Sequence, residues 1–258
     1  MEIRAKKSLG QNFLKDEDVL NKIVNSVEVL PHDLIIEIGP GKGALTSKLK
    51  CFKCDLIAFE IDERMKPILS KLEDENTKVV YEDFLKIDLK SIIKSSYNNV
   101  HVVANIPYYI TNPIINKLIS STIPIKDITL MVQNEVADRL TSNPGSKAYG
   151  SLTVFTNLKY DSKKLFVVPK TCFDPIPKVD SAVIKLVRNE DKYHINDFKK
   201  FESLIYDSFM NKRKTLRNNL KSYDWNKVSR ILNQHGLNEM VRAEQISIEL
   251  FVEISNEM

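Results

Sequence analysis

The sequence predicts a doubly wound, Rossmann-like α/β domain followed by a small all-α domain. Between Leu34 and Arg188, short runs rich in β-branched residues alternate with segments of helical periodicity. This alternation is typical of a mostly parallel sheet with helices on both faces. After Arg188 the strand signal stops and apolar residues recur at a spacing of three to four, which predicts helices. We therefore expect an α/β domain over residues 1–188 and a helical domain over residues 189–258.

Each predicted element follows from a local pattern. Apolar runs bounded by polar residues predict strands at 34–38, 56–61, 78–84, 101–106, 128–133 and 181–187. Helical spacing between them predicts helices at 44–50, 63–72, 89–94 and 113–121, and either Thr111 or Asn112 can cap the last of these. The same spacing predicts helices in the C-terminal domain at 198–209, 215–220, 225–234 and 243–252.

Composition and charge narrow the class of protein. The chain has 258 residues, 43% of them hydrophobic, and 38 Lys and Arg against 34 Asp and Glu give a net charge of +4. This mild basic excess permits a polyanionic partner without requiring one. The N-terminus lacks the apolar core of a secretory signal, and no apolar run is long enough to span a membrane. We expect a cytoplasmic protein with no membrane partner.

The cysteines argue against a disulfide scaffold and against a metal site. Cysteines occur only at positions 51, 54 and 172, which suits a reducing compartment. Cys51 and Cys54 have the spacing of half a zinc site, but no second pair of Cys or His completes it. We therefore predict no metal.

A glycine-rich turn follows the first strand. Residues 34–38 form an apolar run that leads into Gly39, Gly41 and Gly43, and a predicted helix starts at Ala44. A strand, a glycine turn and a helix in this order let the backbone approach a nucleotide-like ligand closely. The spacing fits the dinucleotide pattern G-x-G-x-x-G/A and also the tighter E-x-G-x-G-x-G. The turn alone leaves NAD and S-adenosylmethionine open.

Three acidic residues near strand ends are candidates for ligand contacts. Glu60 lies at the end of the second strand, where a carboxylate can accept both hydroxyls of a ribose. Asp83 precedes Phe84 at the end of the third strand, where an acid and an aromatic ring could hold an adenine; a solvated strand end is the alternative. Glu37, before the glycines, could hold the loop or meet a cationic part of the ligand.

The motif Asn105-Ile106-Pro107-Tyr108 at the end of the fourth strand favours one chemistry. The N6 amine of adenine is a poor nucleophile because its lone pair is delocalised into the ring. The Asn105 side-chain oxygen and the Ile106 carbonyl could accept its N–H groups and turn the lone pair outward, since Pro107 fixes the backbone that follows and disfavours a helical turn at Ile106. Tyr108 offers a face on which an extruded base can stack. The motif predicts an S-adenosylmethionine-dependent methyltransferase acting on adenine N6 in RNA.

Four motifs in order resemble the rRNA adenine N6-dimethyltransferases, the KsgA family. They are Lys7-Ser-Leu-Gly-Gln-Asn-Phe-Leu14, Glu37-Ile-Gly-Pro-Gly-Lys-Gly-Ala-Leu-Thr46, Asn105-Ile-Pro-Tyr108 and Phe173-Asp-Pro-Ile-Pro-Lys-Val-Asp-Ser181. The resemblance implies that S-adenosylmethionine is bound by Asn12, Leu14, Gly39, Gly41, Glu60, Asp83 and Asn105. It implies that Phe173 packs against the target adenine opposite Tyr108.

The resemblance also implies a substrate. The family modifies two adjacent adenosines near the 3′ end of small-subunit (16S) rRNA in a partly assembled ribosomal subunit, and we expect a monomer. The related erythromycin-resistance methyltransferases are the nearest competing assignment. The intact GQNFL opening and the helical tail favour the KsgA family over them. An NAD-dependent oxidoreductase would leave Asn105–Tyr108 unexplained. A non-catalytic RNA-binding factor would hold RNA without turnover.

A cluster of cations in the C-terminal domain is a candidate RNA contact. Five cations and no acid occur between Ser208 and Tyr223: Lys212, Arg213, Lys214, Arg217 and Lys221. On a helix, Arg213 and Arg217 would be neighbours while Leu216 and Leu220 face the core, so that a basic stripe points outward. A solvated helix face is the alternative. Arg4, Lys6 and Lys7 could add a flexible basic arm.

Overall fold

The computed structural model describes residues 3–93, 96–189 and 192–258 and divides into two compact units. The first unit comprises the chain up to Ala137 together with Lys163–Arg188, and the second comprises Asp138–Ser162 and Asn189–Met258. The boundary predicted after residue 188 coincides with the point where the first unit ends at Arg188 and the second resumes at Asn189. Residues 138–162, predicted to lie in the α/β domain, instead belong with the C-terminal helices.

Burial of apolar side chains explains why residues 138–162 join the second unit. Tyr149, Val154 and Leu158 are buried in the same cluster as Phe201 and Phe251 of the C-terminal helices. Apolar area removed from water stabilises this arrangement by roughly 25 cal/mol per Å². The sequence pattern of a short helix does not reveal which core its apolar face will join.

Two sheets are present among the described residues. The strands are β1 (Phe13–Leu14), β2 (Leu34–Ile38), β3 (Asp55–Phe59), β4 (Thr77–Val80), β5 (Val100–Asn105), β6 (Ile125–Gln133), β7 (Tyr160–Val168), β8 (Phe173–Asp174) and β9 (Ser181–Arg188). The main sheet has the order β4-β3-β2-β5-β6-β9-β7, and β1 pairs with β8. Strands β2 to β6 are parallel and β9 is antiparallel to β6. The chain order reverses at β2 and β5, and ligands bind at such switch points outside the carboxyl ends of the strands.

The helices are α1 (Glu17–Asn25), α2 (Ala44–Leu49), α3 (Lys66–Leu69), α4 (Leu89–Ile92), α5 (Thr111–Ile119), α6 (Asn134–Leu140), α7 (Ser151–Asn157), α8 (Phe198–Phe209), α9 (Leu216–Asn219), α10 (Trp225–Gln234) and α11 (Ile248–Glu257). The bounds predicted for α8 and α10 are confirmed. Other predicted helices differ at their ends: α2 ends at Leu49, one residue earlier than predicted, and α9 is one residue shorter at each end than the predicted 215–220. The segment 63–72 is a 3₁₀ turn followed by α3, and α5 starts at Thr111 with Ile110 before it. The predicted helix 89–94 ends at Ile92, and Lys94 lies outside the described residues.

The helix predicted at 243–252 is divided in two. A 3₁₀ turn covers Ala243–Gln245, and α11 starts only after Ser247. The Ser247 side chain accepts the N–H of Leu250, so it caps the new helix. The interruption therefore has a local cause, since a serine favours the cap over the helix interior.

Strand β2 is buried along its whole length because both faces of the parallel sheet are covered. Helix α1, which the sequence pattern did not predict, packs Val19, Leu20, Ile23 and Val24 into the core next to it. None of the described helices is long and apolar enough to cross a bilayer.

The buried residue His101 lies at the amino end of β5, away from the carboxyl edge of the sheet. Its Nδ1 is 2.9 Å from Asp127 Oδ2 and its Nε2 is 3.1 Å from Asp33 Oδ2. All three side chains are buried. These two contacts give both ring nitrogens of His101 a partner, and the group has no access to a ligand at the opposite edge.

Candidate active site

A cavity of about 450 Å³ lies at the carboxyl ends of β2, β3, β4 and β5 in the first unit. Its size falls in the range of small-molecule sites, about 300–1,000 Å³. It is lined by every residue predicted to bind the cofactor or to act in catalysis: Asn12, Leu14, Gly39, Gly41, Glu60, Asp83, Asn105, Ile106, Pro107, Tyr108 and Phe173. The fold thus brings four separate motifs to one place, and the roles of the individual residues stay predictions.

The glycine turn requires glycine at its second and third positions for two reasons. Gly41 and Gly43 have φ of 57° and 79°, in the left-handed region that favours glycine. A Cβ on Gly41 would lie 3.0 Å from the Phe13 ring, and one on Gly43 would clash with the Leu72 side chain. The turn is therefore packed on both sides, by the N-terminal segment and by the residues after α3.

Glu60 holds the glycine turn as well as facing the cavity. Its Oε2 accepts the Gly41 N–H at 2.9 Å and its Oε1 accepts the Asp62 N–H at 2.8 Å. The residue is 4% exposed, and burial raises the pKa of the carboxyl despite these two bonds. Each oxygen keeps a second lone pair for a ribose hydroxyl. The contact with Gly41 was not predicted, because it joins residues from different strand ends.

Glu37 is a buried carboxyl at the base of the cavity. It is 1% exposed, and its Oε2 has no hydrogen-bond partner among the described residues. Burial raises the pKa of Glu37 to about 8; hydrogen bonding to Thr46 opposes this rise, and repulsion from Glu60 adds to it. A buried polar atom without a partner costs free energy. A cationic group of a ligand would supply the missing partner.

The motif Asn105-Ile106-Pro107-Tyr108 starts at the last residue of β5. Asn105 is half-buried and its side chain makes no hydrogen bond to the residues that the structure describes, so its oxygen is available as an acceptor. Ile106 is buried, and Pro107 has φ of −58° and ψ of 137°. After it, a 3₁₀ turn covers Tyr108–Ile110.

The Tyr108 hydroxyl is already engaged. It lies 2.7 Å from the Oγ of Ser181, the buried first residue of β9. Burial raises the pKa of Tyr108. These features suit a ring held in place for stacking and argue against a phenolate base. Ser181 closes the motif that starts at Phe173, and its contact with Tyr108 could not be found from spacing.

The N-terminal motif and the late motif meet in the two-stranded sheet. Leu14 is paired with Phe173 and Phe13 with Asp174. Phe173 is 1% exposed and packs in the core cluster that contains Leu14 and Leu20, while it also lines the cavity. Its surface for a target base is therefore limited to the side that faces the cavity.

The N-terminal segment is fastened to the residues after β3. Gln11 donates to Asp62 at 2.8 Å, and Arg64 forms a salt bridge to the same carboxylate at 2.6 Å. The Arg64 guanidinium holds the pKa of Asp62 at about 2. The Lys6 N–H donates to Gln11 at 2.8 Å, and the Arg4 carbonyl accepts from Arg64 at 3.4 Å. The predicted basic arm is therefore tied down over this part.

The loop after β4 is fixed by a cap and by a lysine. Asp83 Oδ1 accepts the Leu85 N–H at 3.0 Å, and the Phe84 ring packs 5.5 Å from that of Phe59. Lys117 Nζ lies 5.3 Å from the Phe84 ring and donates to the Leu85 carbonyl at 3.0 Å. Burial lowers the pKa of Lys117. Asp83 is thus held at the cavity wall.

The basic segment Lys212–Lys221 lies in the second unit, and its predicted geometry is wrong in one respect. Thr215 accepts the Asn218 N–H and caps α9 at Leu216, so Arg213 lies in the preceding turn and is not a helical neighbour of Arg217. Leu216 and Leu220 are buried, as expected.

Arg217 is less available for a contact with RNA than the sequence suggested. It forms a salt bridge with Glu239 and lies 5.8 Å from the Trp225 ring. Glu239 is 22 residues away along the chain, so a window of local charge could not include it. Lys212, Arg213 and Lys214 remain exposed in the turn.

The fold and site define a class. A parallel sheet with a glycine turn after β2, an acid after β3 and Asn105–Tyr108 after β5 is the arrangement of a Rossmann-like methyltransferase. A model of the ribosomal RNA adenine dimethylase family matches residues 2–258. The chain belongs to this family.

Individual relatives agree with this membership. The chain is 44% identical to the ribosomal RNA small subunit methyltransferase A of Ligilactobacillus salivarius, covering 97% of this chain and 89% of the relative. The Streptococcus pneumoniae protein of the same name is also 44% identical, with 97% and 91% covered.

Two solved structures share the fold over almost the whole chain. A dimethyladenosine transferase from Plasmodium falciparum is 29% identical with a TM-score of 0.77, covering 93% of this chain and 95% of that one. The 23S rRNA methyltransferase ErmE is 27% identical with a TM-score of 0.78, covering 95% and 99%. The predicted resemblance, the fold class and the enzyme class, an S-adenosylmethionine-dependent rRNA adenine dimethyltransferase, are confirmed. An NAD-dependent oxidoreductase and a pure binding module are set aside.

Proposed function

We propose that this protein transfers methyl groups from S-adenosylmethionine to the N6 amines of two adjacent adenosines near the 3′ end of small-subunit rRNA, giving N6,N6-dimethyladenosine. The relatives named as small-subunit methyltransferases support the substrate. The observation that carries the proposal is the placement of Asn105–Tyr108 and the glycine turn on one cavity. The activity belongs to small-subunit biogenesis, in a cytoplasmic monomer acting on a partly assembled subunit.

The cavity suits S-adenosylmethionine, which supplies an electrophilic methyl group on a cationic sulfur. The unpartnered Oε2 of Glu37 would meet a cationic part of this cofactor, and the free lone pairs of Glu60 would accept its ribose hydroxyls. Asp83, with the Phe84 ring beside it, would hold the adenine. Asn12, Leu14, Gly39 and Gly41 would complete the cofactor contacts from the N-terminal segment and the glycine turn.

The reacting adenine would be activated by acceptors. The Asn105 side-chain oxygen and the Ile106 carbonyl accept the two N6 hydrogens, so the nitrogen lone pair turns out of the ring plane towards the methyl group. The proline ring fixes φ of Pro107, and this keeps the neighbouring Ile106 carbonyl in place. Tyr108 stacks on the base, with Phe173 on the other side. The methylated nitrogen then releases a proton to water, so a protein base is not needed.

The test is single-turnover methyl transfer to immature small subunits, followed by nucleoside analysis. Asn105→Ala should slow the chemical step steeply even at saturating RNA, because it removes an acceptor. Tyr108→Ala should lower catalytic efficiency by about five- to a hundred-fold, the range expected for one base stack. Tyr108→Phe should keep most activity, since it retains the ring. Asn233→Ala, the same change as at position 105 made at an exposed position of α10, is the control.

Specific outcomes would contradict the proposal. A wild-type rate in Asn105→Ala would remove the acceptor mechanism. Methyl label on cytosine or guanine would exclude an adenine enzyme. Label confined to adenosines of large-subunit rRNA would assign the chain the substrate named for ErmE.

A further inference from the structure

Tyr109 is an aromatic residue at the mouth of the cavity that the mechanism above does not use. It is 59% exposed and also lines the cavity. Successive side chains in a 3₁₀ turn point about 120° apart because the turn has three residues. Tyr108 is directed to the buried Ser181, so Tyr109 is directed elsewhere, towards solvent at the cavity rim.

The Tyr109 ring is supported on one side by backbone. A Cβ on Gly10 would lie 3.0 Å from Tyr109 Cδ1 and 3.1 Å from Cε1, so only a glycine lets the chain approach the ring this closely. Gly10 has φ of 58°, and its N–H donates to the Lys7 carbonyl at 3.0 Å. A ring held on one side and open on the other can stack with a base at little cost in side-chain entropy.

Two lysines precede the glycine that lies against this ring. Lys6 and Lys7 lie just before Gly10, are exposed, and form no salt bridge within the described part of the chain. The Lys6 N–H is bonded to Gln11, which is anchored on Asp62. The segment is thus positioned by hydrogen bonds while both ammonium groups remain free for phosphates.

We infer that Tyr109, Lys6 and Lys7 form a second nucleotide subsite, which stacks the base next to the target adenosine and binds the adjoining phosphates. The inference rests on the proposed function. An adenosine extruded onto Tyr108 stays covalently linked to its neighbour, so that neighbour must lie at the cavity rim, where Tyr109 is exposed. A substrate with two adjacent adenosines would place the second one here while the first is methylated.

The test separates RNA binding from chemistry. Steady-state methyl transfer to immature small subunits should give a KM for Tyr109→Ala about five- to a hundred-fold above wild type, with kcat changed much less. Tyr109→Phe should restore the wild-type KM. Tyr206→Ala is the matched control, because Tyr206 is 54% exposed but lies in the second unit. Lys6→Gln and Lys7→Gln should each make the slope of log affinity against log salt shallower by about 0.7.

A purely structural role for the ring gives a different result. If Tyr109 only supported the N-terminal segment, Tyr109→Ala would weaken S-adenosylmethionine binding in calorimetry, whereas the subsite leaves that affinity unchanged. An unchanged KM in Tyr109→Ala, or a parallel loss of cofactor affinity, overturns the subsite. A wild-type protein that methylates no small-subunit adenosine refutes the proposed function, and the subsite with it.

Discussion

Replacing Glu60 by Gln tests whether this carboxylate organises the cofactor site. The change swaps one acceptor oxygen for an NH₂ group, so the N–H of either Gly41 or Asp62 loses its acceptor. A hydrogen bond to a charged group contributes about 1.5–3 kcal/mol. If that bond and the ribose contact both depend on the carboxylate, the dissociation constant for S-adenosylmethionine should rise about ten- to a hundred-fold.

Folding stability should respond differently to the same change. Burial raises the pKa of Glu60, so ionising this group opposes folding at neutral pH. Gln removes that cost while it loses one bond, and the free energy of unfolding should stay within about 1 kcal/mol of wild type. The cofactor affinity should therefore fall much more than the stability.

Calorimetric titration with S-adenosylmethionine and urea unfolding at pH 7 measure the two quantities. Glu63→Gln is the matched control, because Glu63 is exposed and starts the nearby 3₁₀ turn. Unchanged cofactor affinity in Glu60→Gln would refute the role given to the carboxylate. A loss of affinity matched by an equal loss of unfolding free energy would show that the variant is merely misfolded.

Two further predictions concern Glu37 and the basic segment. The pKa of Glu37 is raised to about 8 from 4.5, so its contribution to stability is present below about pH 4.5 and is lost as the pH rises through 8. Urea unfolding of the cofactor-free protein at pH 6 and pH 9 should show a smaller pH difference in Glu37→Gln than in wild type, and equal differences would contradict the buried carboxyl. In the second unit, Arg213→Ala should make the salt slope of RNA binding shallower by about 0.7–0.9, and Arg217→Ala by less, because Arg217 is paired with Glu239. Filter binding across a salt series measures this, and identical slopes for the two variants would reject the difference.

Local patterns were sufficient where neighbours along the chain decide the structure. The run Leu34–Ile38 predicted a buried strand, and the glycines after it predicted a tight turn, in which Gly41 and Gly43 have left-handed φ. The helices Phe198–Phe209 and Trp225–Gln234 start after Asp197 and Asp224, whose side chains cap them. Periodicity, caps and glycines are local signals, so they can be interpreted without knowledge of the rest of the fold.

Strand β7 shows where the local signal fails. Tyr160–Val168 lies at the edge of the sheet, four consecutive polar residues follow Tyr160, and only the two ends of the strand are buried. An edge strand pairs with only one neighbouring strand and buries less apolar area than a central strand. Its sequence therefore carries a weaker strand pattern. The same reasoning applies to Phe13–Leu14 and Phe173–Asp174, which are strands only because they pair with each other.

The class of fold, the glycine turn and the Asn105–Tyr108 motif at the end of β5 could be predicted from the sequence, because each depends on residues that are neighbours along the chain. The three-dimensional structure was needed to show that Glu60 bonds Gly41, that Ser181 holds Tyr108 and that Glu239 neutralises Arg217. It also moved residues 138–162 into the helical unit. These contacts join residues between 19 and 73 positions apart, and their formation depends on which apolar surfaces are buried together, which no local pattern specifies.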